Sequence, residues 1–293
     1  MKKWALLSLA ICMGVIYHAH ATKELEKKSK VSPSKEAMCS LPMDYHTFQS
    51  GEKLTFKIYY NWSAIWMKAG NVTFDVSDAY LNNKTVYHVD CVGKTASAFN
   101  WVYQVDDHYE TYIDPANLLP LKYIRDIKQG KFTKKNQFRF FHDRNEVYID
   151  YRIRKGEVKA KDEVAPIKSC TQDVLSTLYY ARAFDFKNSN LTIGDTIPID
   201  VFLDGKSYNV HLRYLGKDEL KANIGGKYRC LKFAPLLLSS YAFGEGGETM
   251  VIWVTDDSNK LPLLIESPLR VGWAKAYLDE YENLVYPLDA KIK

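Results

Sequence analysis

The histidines and carboxylates of this chain form no recognisable catalytic or metal-binding motif. Beyond residue 21 the histidines are scattered along the chain: His46, His88, His108, His142 and His211. A protease-type zinc site needs two histidines in an H-E-x-x-H motif, so the sequence predicts no metal site. Two acids across a cleft could cleave a glycosidic bond, and the neighbouring acids are Asp106 with Asp107 and Glu245 with Glu248. With 35 acids in the chain, such pairs are expected by chance.

A glycine-rich stretch and two serines offer no better case for catalysis. The stretch FGEGGET (243–249) has the glycines of a phosphate-binding loop. Such a loop precedes a helix and carries a lysine, whereas here the strand pattern TMVIWVT follows, which predicts a loop at the rim of a sheet. Ser239 and Ser240 lie outside any G-x-S-x-G elbow. We therefore predict no catalytic residues, no cofactor and no enzymatic activity.

Aromatic residues are the one compositional feature that indicates binding, with 21 Tyr, 13 Phe and 6 Trp. They fill cores and cross-strand pairs in any sheet, but binding pockets are also lined mainly by such side chains. NWSAIWM (61–67) and APLLLSSYAFG (234–244) are apolar where connections between strands are expected, which favours flaps over a cavity. The predicted ligand-binding residues are Trp62, Trp66, Trp101, Tyr103, Tyr241, Phe243 and Trp253.

Most of the elements that must position these residues are predicted to be strands. LTFKIYY, VTFDV, TVYHVDC and YNVHLRYL alternate apolar and polar residues, as half-buried strands do. NQFRFFHDRNEVYIDYRIR is typical of a hairpin that turns at HDRN (142–145). TQDVLSTLYYARAF (171–184) has helical spacing, with Thr171 as the expected N-cap. A second short helix is expected near Thr95.

Two octapeptides, DPANLLPL (114–121) and DDSNKLPL (256–263), are nearly the same and lie 142 positions apart (256 − 114). Asp and Asn favour turns, and the prolines belong at a strand start, an edge or a bulge. Other weak matches follow in the same order at nearly the same offset, which predicts an internal duplication. The expected organisation is a first β repeat (48–154), a helical connector (155–190) and a second β repeat (191–293). The fold class is mainly β: a duplicated, strongly curved antiparallel sheet, as two half-barrels or one large open barrel, with one helix between the copies.

The N-terminal residues predict export. Residues 1–21 read as a signal peptide, with Lys2 and Lys3 before a short apolar run and small residues at the cleavage position. Residues 22–47 are expected to be a flexible segment, rich in charge. Without residues 1–21 the net charge is +3 (38 − 35), and no basic block suggests nucleic acid. No later segment is apolar enough to cross a membrane.

Four cysteines remain after residue 21: Cys39, Cys91, Cys170 and Cys230. In an oxidising compartment they allow up to two disulfides with three connectivities, and the sequence does not choose among them. Buried free thiols are the alternative. None of the four lies in a C-x-x-C pair, so a redox motif is not predicted.

Several stretches resemble the bacterial exported family known as domain of unknown function 3108. The resemblance lies in FQSGEKLTFKIYYNWSAIWMKAGNVTF, TQDVLSTLYYAR, GDTIPIDVFLDGKSYNV, GGKYRCLKFAP, ETMVIWVTDDSNKLPLLIES and RVGWAKAYL, between Phe48 and Leu278. It implies an exported β-rich envelope protein, in the periplasm or at the cell surface of a Gram-negative bacterium, and brings no activity, cofactor or catalytic residues. By analogy of fold alone it is similar to curved-sheet carriers that shield lipids.

Three functional hypotheses follow from these observations. The first is non-enzymatic binding of an apolar ligand or lipid inside the curved sheet. The second is a periplasmic or surface interaction module that binds another envelope protein or a glycan on an exposed aromatic face. The third is an envelope glycan hydrolase. A continuous cavity, a flat aromatic stripe or two facing carboxylates would favour the first, second or third respectively.

Overall fold

The computed structural model describes residues 43–44, 46–62, 65–99, 104–154, 157–236, 250–269 and 272–292. Within these ranges the chain forms fifteen strands, one α-helix and one short 3-10 helix. The helix α1 spans Ser176–Ala183, and the 3-10 helix spans Ser97–Phe99. The strands are β1 Lys53–Trp62, β2 Ile65–Leu81, β3 Lys84–Thr95, β4 Asp106–Ile113, β5 Pro120–Gln129, β6 Phe132–Phe141, β7 Glu146–Arg154, β8 Glu157–Pro166, β9 Thr196–Leu203, β10 Lys206–Lys221, β11 Lys227–Pro235, β12 Val251–Thr255, β13 Pro262–Pro268, β14 Trp273–Glu282 and β15 Lys291–Ile292.

All of these strands belong to one antiparallel sheet. Its order runs from β8 down to β1 and then from β14 down to β9, and β15 pairs with β11. Short turns suffice for antiparallel neighbours, and the two runs join where β1 pairs with β14. The sheet is strongly curved, because Phe202 on the edge strand β9 lies 5.7 Å from Phe138 on β6. The prediction of a mainly β fold with one large open antiparallel sheet is confirmed.

Alternation along the strands divides the sheet into an inner, concave face and an outer face. On β1, Leu54, Phe56, Ile58 and Tyr60 are at most 4% exposed, and they alternate with half-buried residues such as Lys57. Successive side chains of a strand point to opposite faces. The inner set therefore forms one core with the inner residues of the other strands.

The two octapeptides form closely similar turns. Leu118 and Lys260, 142 positions apart (260 − 118), both have positive φ, at 57° and 46°. L-residues rarely adopt this left-handed conformation. Pro120 and Pro262 are the first residues of β5 and β13, where a missing N–H does no harm to the ladder. The turn-then-strand prediction is confirmed, while the internal duplication stays a prediction.

The segment between the predicted repeats differs from the expectation in detail. Residues 157–166, placed in the helical connector, form β8, and α1 begins at Ser176 rather than near Thr171. Around residue 172 the chain is extended, since Gln172 N donates to Asp200 O (2.7 Å) beside β9. The cap is Asp173, whose Oδ1 accepts hydrogen bonds from the backbone N–H groups of residues 175 (2.7 Å) and 176 (2.9 Å). The carboxylate thus takes the capping role that was expected of Thr171.

The helix α1 fills one end of the concave interior. Tyr179 and Ala183 are fully buried. Arg182 forms a two-pronged ion pair with Glu52, at 2.6 Å and 2.8 Å, and both side chains are at most 2% exposed. Arg182 also donates to the carbonyls of Thr47 (3.1 Å) and Asn259 (3.2 Å). The segment before β1 and the turn between β12 and β13 are thereby tied to the helix.

The connections of an antiparallel sheet alternate between its two ends. We call the end where β1 leads into β2 the upper end, and the end occupied by α1 the lower end. The strand ends at the upper end flank residues 63–64, 96–105, 130–131, 155–156, 204–205, 236–250 and 269–272. None of the helices in the described ranges has the length and hydrophobicity to cross a membrane.

The cysteines are divided between one disulfide and two thiols. Cys170 is disulfide-bonded, and its partner lies outside the described residues. Cys91 and Cys230 are buried thiols that form no disulfide. The sequence left disulfides and buried thiols as alternatives, and the described cysteines include both. Burial raises the pKa of Cys230 to about 12, so its thiol stays protonated.

Candidate functional site

Of the predicted ligand-binding residues, Trp66 and Trp253 have described side chains, and both face outwards. Trp66 on β2 is 41% exposed, and Trp253 on β12 is half-buried. Trp62 ends β1, and its side chain lies outside the described part of the chain. Trp101, Tyr103, Tyr241 and Phe243 also lie outside it. Their role in binding stays a prediction.

Aromatic side chains from both halves of the chain share the outer face near the upper end. Lys275 Nζ lies 4.9 Å from the ring of Trp66, and Tyr59 packs edge-on against Tyr277 at 5.8 Å. Leu264 on β13 is paired with both Tyr277 and Trp253, and Lys232 Nζ lies 5.2 Å from the Trp253 ring. Paired residues on one face lie close enough for contact. We call the set Tyr59, Trp66, Trp253, Leu264, Lys275 and Tyr277 the outer aromatic face.

The inner face carries a second group of rings, next to the edge of the sheet. Tyr123 stacks on Phe138 at 5.8 Å, and Phe202 makes edge contacts with Phe138 (5.7 Å) and Phe140 (6.0 Å). All four rings are at most 4% exposed. We call Tyr123, Phe138, Phe140 and Phe202 the aromatic interior. It is formed by β5 and β6 together with the edge strand β9.

A charged residue, Arg125 on β5, lies next to this aromatic interior. It is 1% exposed, because alternation places it on the inner face with Tyr123. Its Nη2 donates to Asn136 Oδ1 (3.2 Å) and to Asp204 Oδ1 at the tip of the β9–β10 hairpin. Lys134 Nζ donates to the same Asp204 oxygen at 2.7 Å. Burial alone would raise the pKa of Asp204, but the two cations hold it at about 2, so the carboxylate is ionised.

Some N–H groups of Arg125 have no hydrogen-bond acceptor among the described residues. Its Nε and Nη1 are buried and make no hydrogen bond within the described ranges, and the same holds for the hydroxyls of Tyr109 and Tyr123. Tyr109 is the cross-strand partner of Arg125, and Tyr123 follows two residues earlier on β5. Burial raises the pKa of both phenols well above the ordinary value, so both hydroxyls stay protonated. Unsatisfied buried polar groups are uncommon and call for an explanation.

The carboxylates near these hydroxyls are already engaged. Asp107, near Tyr109, accepts hydrogen bonds from Lys128 N (3.1 Å) and Gln129 Nε2 (2.6 Å). Asp173, near Tyr123, caps α1 and accepts a hydrogen bond from Thr111 Oγ1 at 2.5 Å. Burial raises the pKa of Asp173 to about 6. Neither carboxylate satisfies Arg125 or the two phenols.

This cluster was not predicted from the sequence, although one pattern in the sequence indicates it. In PLKYIRDIKQ the inward positions are those of Tyr123, Arg125 and Ile127. An arginine on the apolar face of a strand is unusual, since a buried charge needs a partner. Asp204, which supplies that partner, is 79 residues away, and no local pattern connects the two.

The described residues give little support to a catalytic or metal-binding function. They contain no group of three His, Cys, Asp or Glu side chains that could hold a metal ion. Cross-strand pairs form on the outer face, with His88 to Glu110 at 3.1 Å and His108 to Asp90 at 2.5 Å. Such pairs support a sheet surface. The glycine-rich stretch 243–249 and its two glutamates lie outside the described residues.

A cavity of about 50 Å³ at the lower end is lined by acidic and basic side chains, among them Asp44, Asp185, Asp257 and Lys260. Ligand pockets are typically about 300–1,000 Å³ and mostly apolar. This cavity is therefore too small for an organic ligand of ordinary size.

Comparison of the fold with solved structures shows a likeness to a beta-barrel-like protein. A beta-barrel-like protein of domain of unknown function DUF1849 from Brucella abortus has a TM-score of 0.50 and 7% identity, and the match covers 80% of this chain and 98% of that one. At this identity the match shows the fold alone. A candidate lipoprotein from Parabacteroides distasonis (TM-score 0.32, 9% identity, 82% and 99% covered) and a DUF1329 family protein from Desulfovibrio piger (0.20, 13%, 83% and 88%) are too distant to support an argument.

Comparison of the sequence gives the family. No curated protein matches the chain. A family model described as "Protein of unknown function (DUF3108)" matches residues 55–279, and thus nearly all strands of the sheet. The match agrees with the resemblance seen in the sequence and covers more than half of the chain. The chain therefore belongs to the DUF3108 family.

Proposed function

We propose that this protein is an exported binding protein of the bacterial envelope that holds an apolar ligand, such as a lipid acyl chain, against the inner face of its sheet and catalyses no reaction. The observation that carries the proposal is the aromatic interior, which lies beside a seam in the sheet. The seam separates the edge strands β8 and β9, which do not pair with each other. A concave apolar face that can be reached from an edge is what an acyl chain needs.

Binding requires the seam to open. Described contacts that hold the β9–β10 hairpin to the far edge include Asp204 with Arg125 and Lys134, and Ser207 Oγ with Pro166 O at 3.4 Å. Burying ten methylene groups contributes about 8 kcal/mol. Separating an aromatic pair costs about 0.5–1.5 kcal/mol beyond its area. The gain from an acyl chain therefore exceeds the loss of the ring contacts that Phe202 makes.

A titration with a neutral probe, 1-dodecanol, tests this proposal. Binding should weaken at least about tenfold in Phe202→Ala, since a truncated aromatic side chain loses most of its apolar contact. Phe202→Leu is the milder variant if the first is poorly folded. Trp66→Ala, on the outer aromatic face, is the matched control and should bind as the wild type does. No binding of dodecanol by the folded wild type would refute the proposal.

The outer aromatic face supports a second candidate, binding of an envelope protein or a glycan. Trp66 is 41% exposed on this face. Exposed apolar side chains next to cations are common in binding surfaces. In the titration just described, this candidate predicts the opposite result: Trp66→Ala weakens binding and Phe202→Ala does not. Trp101→Ala is a further test of the two candidate functions. Binding of an apolar ligand inside the sheet predicts that this variant retains the ligand less well with little loss of stability.

A further inference from the structure

The unsatisfied groups around Arg125 are all able to donate. A guanidinium has five N–H donors and no acceptor, and in Arg125 the hydrogens on Nε and Nη1 have no partner among the described residues. Two protonated phenols, Tyr109 and Tyr123, add a donor each. The site therefore lacks acceptors, and the group that complements it is rich in oxygen lone pairs.

The positive charges of the cluster also favour a ligand group with oxygen acceptors. Arg125 and Lys134 are both positive and both donate to one carboxylate, Asp204, so the guanidinium shares its counter-ion and keeps its Nε and Nη1 hydrogens for a further acceptor. The flanking acids Asp107 and Asp173 already accept hydrogen bonds from other groups. A carboxylate has two oxygens with about four acceptor sites and one negative charge. A phosphate monoester carries about −1.5 to −2 and would be repelled more strongly by the ionised Asp204 carboxylate than a singly charged carboxylate would be.

We propose that the apolar ligand of the interior ends in a carboxylate, and that this carboxylate binds Arg125 through Nε and Nη1 with Tyr109 and Tyr123 as further donors. The inference rests on the proposed function, since it names the polar end of the same ligand. The surroundings suit an amphipathic acid: rings of Tyr123 and Phe138 lie on the inner face beside the guanidinium. Arginine is the side chain best shaped to bind a carboxylate.

Paired titrations with dodecanoic acid and 1-dodecanol, at about pH 8 where the acid is ionised, test the inference. The wild type should bind the acid about 10-fold to 100-fold more tightly than the alcohol, the range for hydrogen bonds to a charged group. Arg125→Met should abolish this preference and leave dodecanol binding unchanged. Arg139→Met is the matched control, because Arg139 lies on the outer face of β6 and is paired with Asp150. It should keep the preference.

Asp204→Asn provides an independent readout if Arg125→Met is poorly folded. Loss of the competing negative charge should tighten dodecanoic acid binding several-fold and leave dodecanol unaffected, whereas a purely structural role of Asp204 predicts that both probes bind more weakly. Equal affinity of the wild type for acid and alcohol would overturn this inference and leave the proposed function standing. Failure to bind either probe would overturn both. Tighter binding of dodecyl phosphate than of the acid would overturn the assignment of a carboxylate.

Discussion

The effect of Asp173 on stability at different pH values tests how the start of α1 is packed into the interior. Its carboxyl is fully buried, caps α1 and accepts a hydrogen bond from Thr111. Burial raises its pKa from 3.8 to about 6, and the hydrogen bonds to Thr111 and to the helix N–H groups only partly oppose this. The folded protein therefore holds a proton at Asp173 more tightly than the unfolded chain does.

The sign and size of the effect follow from linkage. A carboxyl with a raised pKa contributes its full stability below the unfolded value of 3.8, and loses it as the pH rises through about 6. One pKa unit corresponds to about 1.4 kcal/mol, so a shift of about two units costs the folded state roughly 3 kcal/mol above pH 6–7. Other carboxyls have the opposite effect, including Asp204 with its pKa of about 2. A comparison with a matched variant isolates Asp173.

Asp173→Asn is that variant, because asparagine caps helices as well as aspartate does and carries no charge. Urea unfolding of both proteins should be measured from about pH 4 to pH 8. Over this range we expect the free energy of unfolding of the wild type to fall by about 2–3 kcal/mol relative to that of the variant. The difference between the two is what matters, so a constant offset from the lost Thr111 contact does not affect the test. A flat difference, or one that changes in the other direction, would refute the reasoning.

Three further predictions concern the rest of the structure. Glu52→Gln should lower the free energy of unfolding by about 3–5 kcal/mol, because it leaves Arg182 as an unpaired buried charge. In urea unfolding, the double variant with Arg182→Met should recover part of this loss. A loss below about 1 kcal/mol in Glu52→Gln would contradict the ion pair. Trp66→Ala should change the melting temperature little, since the side chain is 41% exposed; cooperative loss of folding would place it in the core instead. Thiol titration should find Cys91 and Cys230 unreactive in the folded protein and reactive in denaturant; rapid labelling before unfolding would contradict their burial.

The architecture could be predicted from the sequence because a sheet is specified locally. Alternation in stretches such as LTFKIYY gives both the strand and its inner face, and the repeated octapeptide gives turns that the structure confirms at Leu118 and Lys260. The helix was predicted five residues too early at its start, because Thr171 is a good cap in isolation while Asp173 is the one buried beside Thr111. Residues 157–166 were placed in the connector, although their alternation continues the sheet as β8.

The candidate site could not be predicted in the same way, because its parts are distant in the sequence. Nothing near Arg125 in the sequence indicates that Asp204 is its partner, and only the curvature of the sheet brings β9 next to β6. Aromatic residues were recognised as important, but composition does not say which face of a strand they occupy. Trp66 and Trp253 were expected to line a cavity and face outwards, while Phe138 and Phe202, not singled out, form part of the inner wall.

The central claim is that the inner face holds an apolar chain, and native mass spectrometry tests it most directly. The protein should be purified from a bacterial envelope without detergent, weighed intact, and extracted with organic solvent. We predict a reproducible extra mass that extracts as a long-chain carboxylic acid and is absent from a preparation of Arg125→Met. A bound mass that extracts as a glycan or a peptide, or a protein that carries no ligand and takes up neither dodecanoic acid nor dodecanol, would contradict the claim.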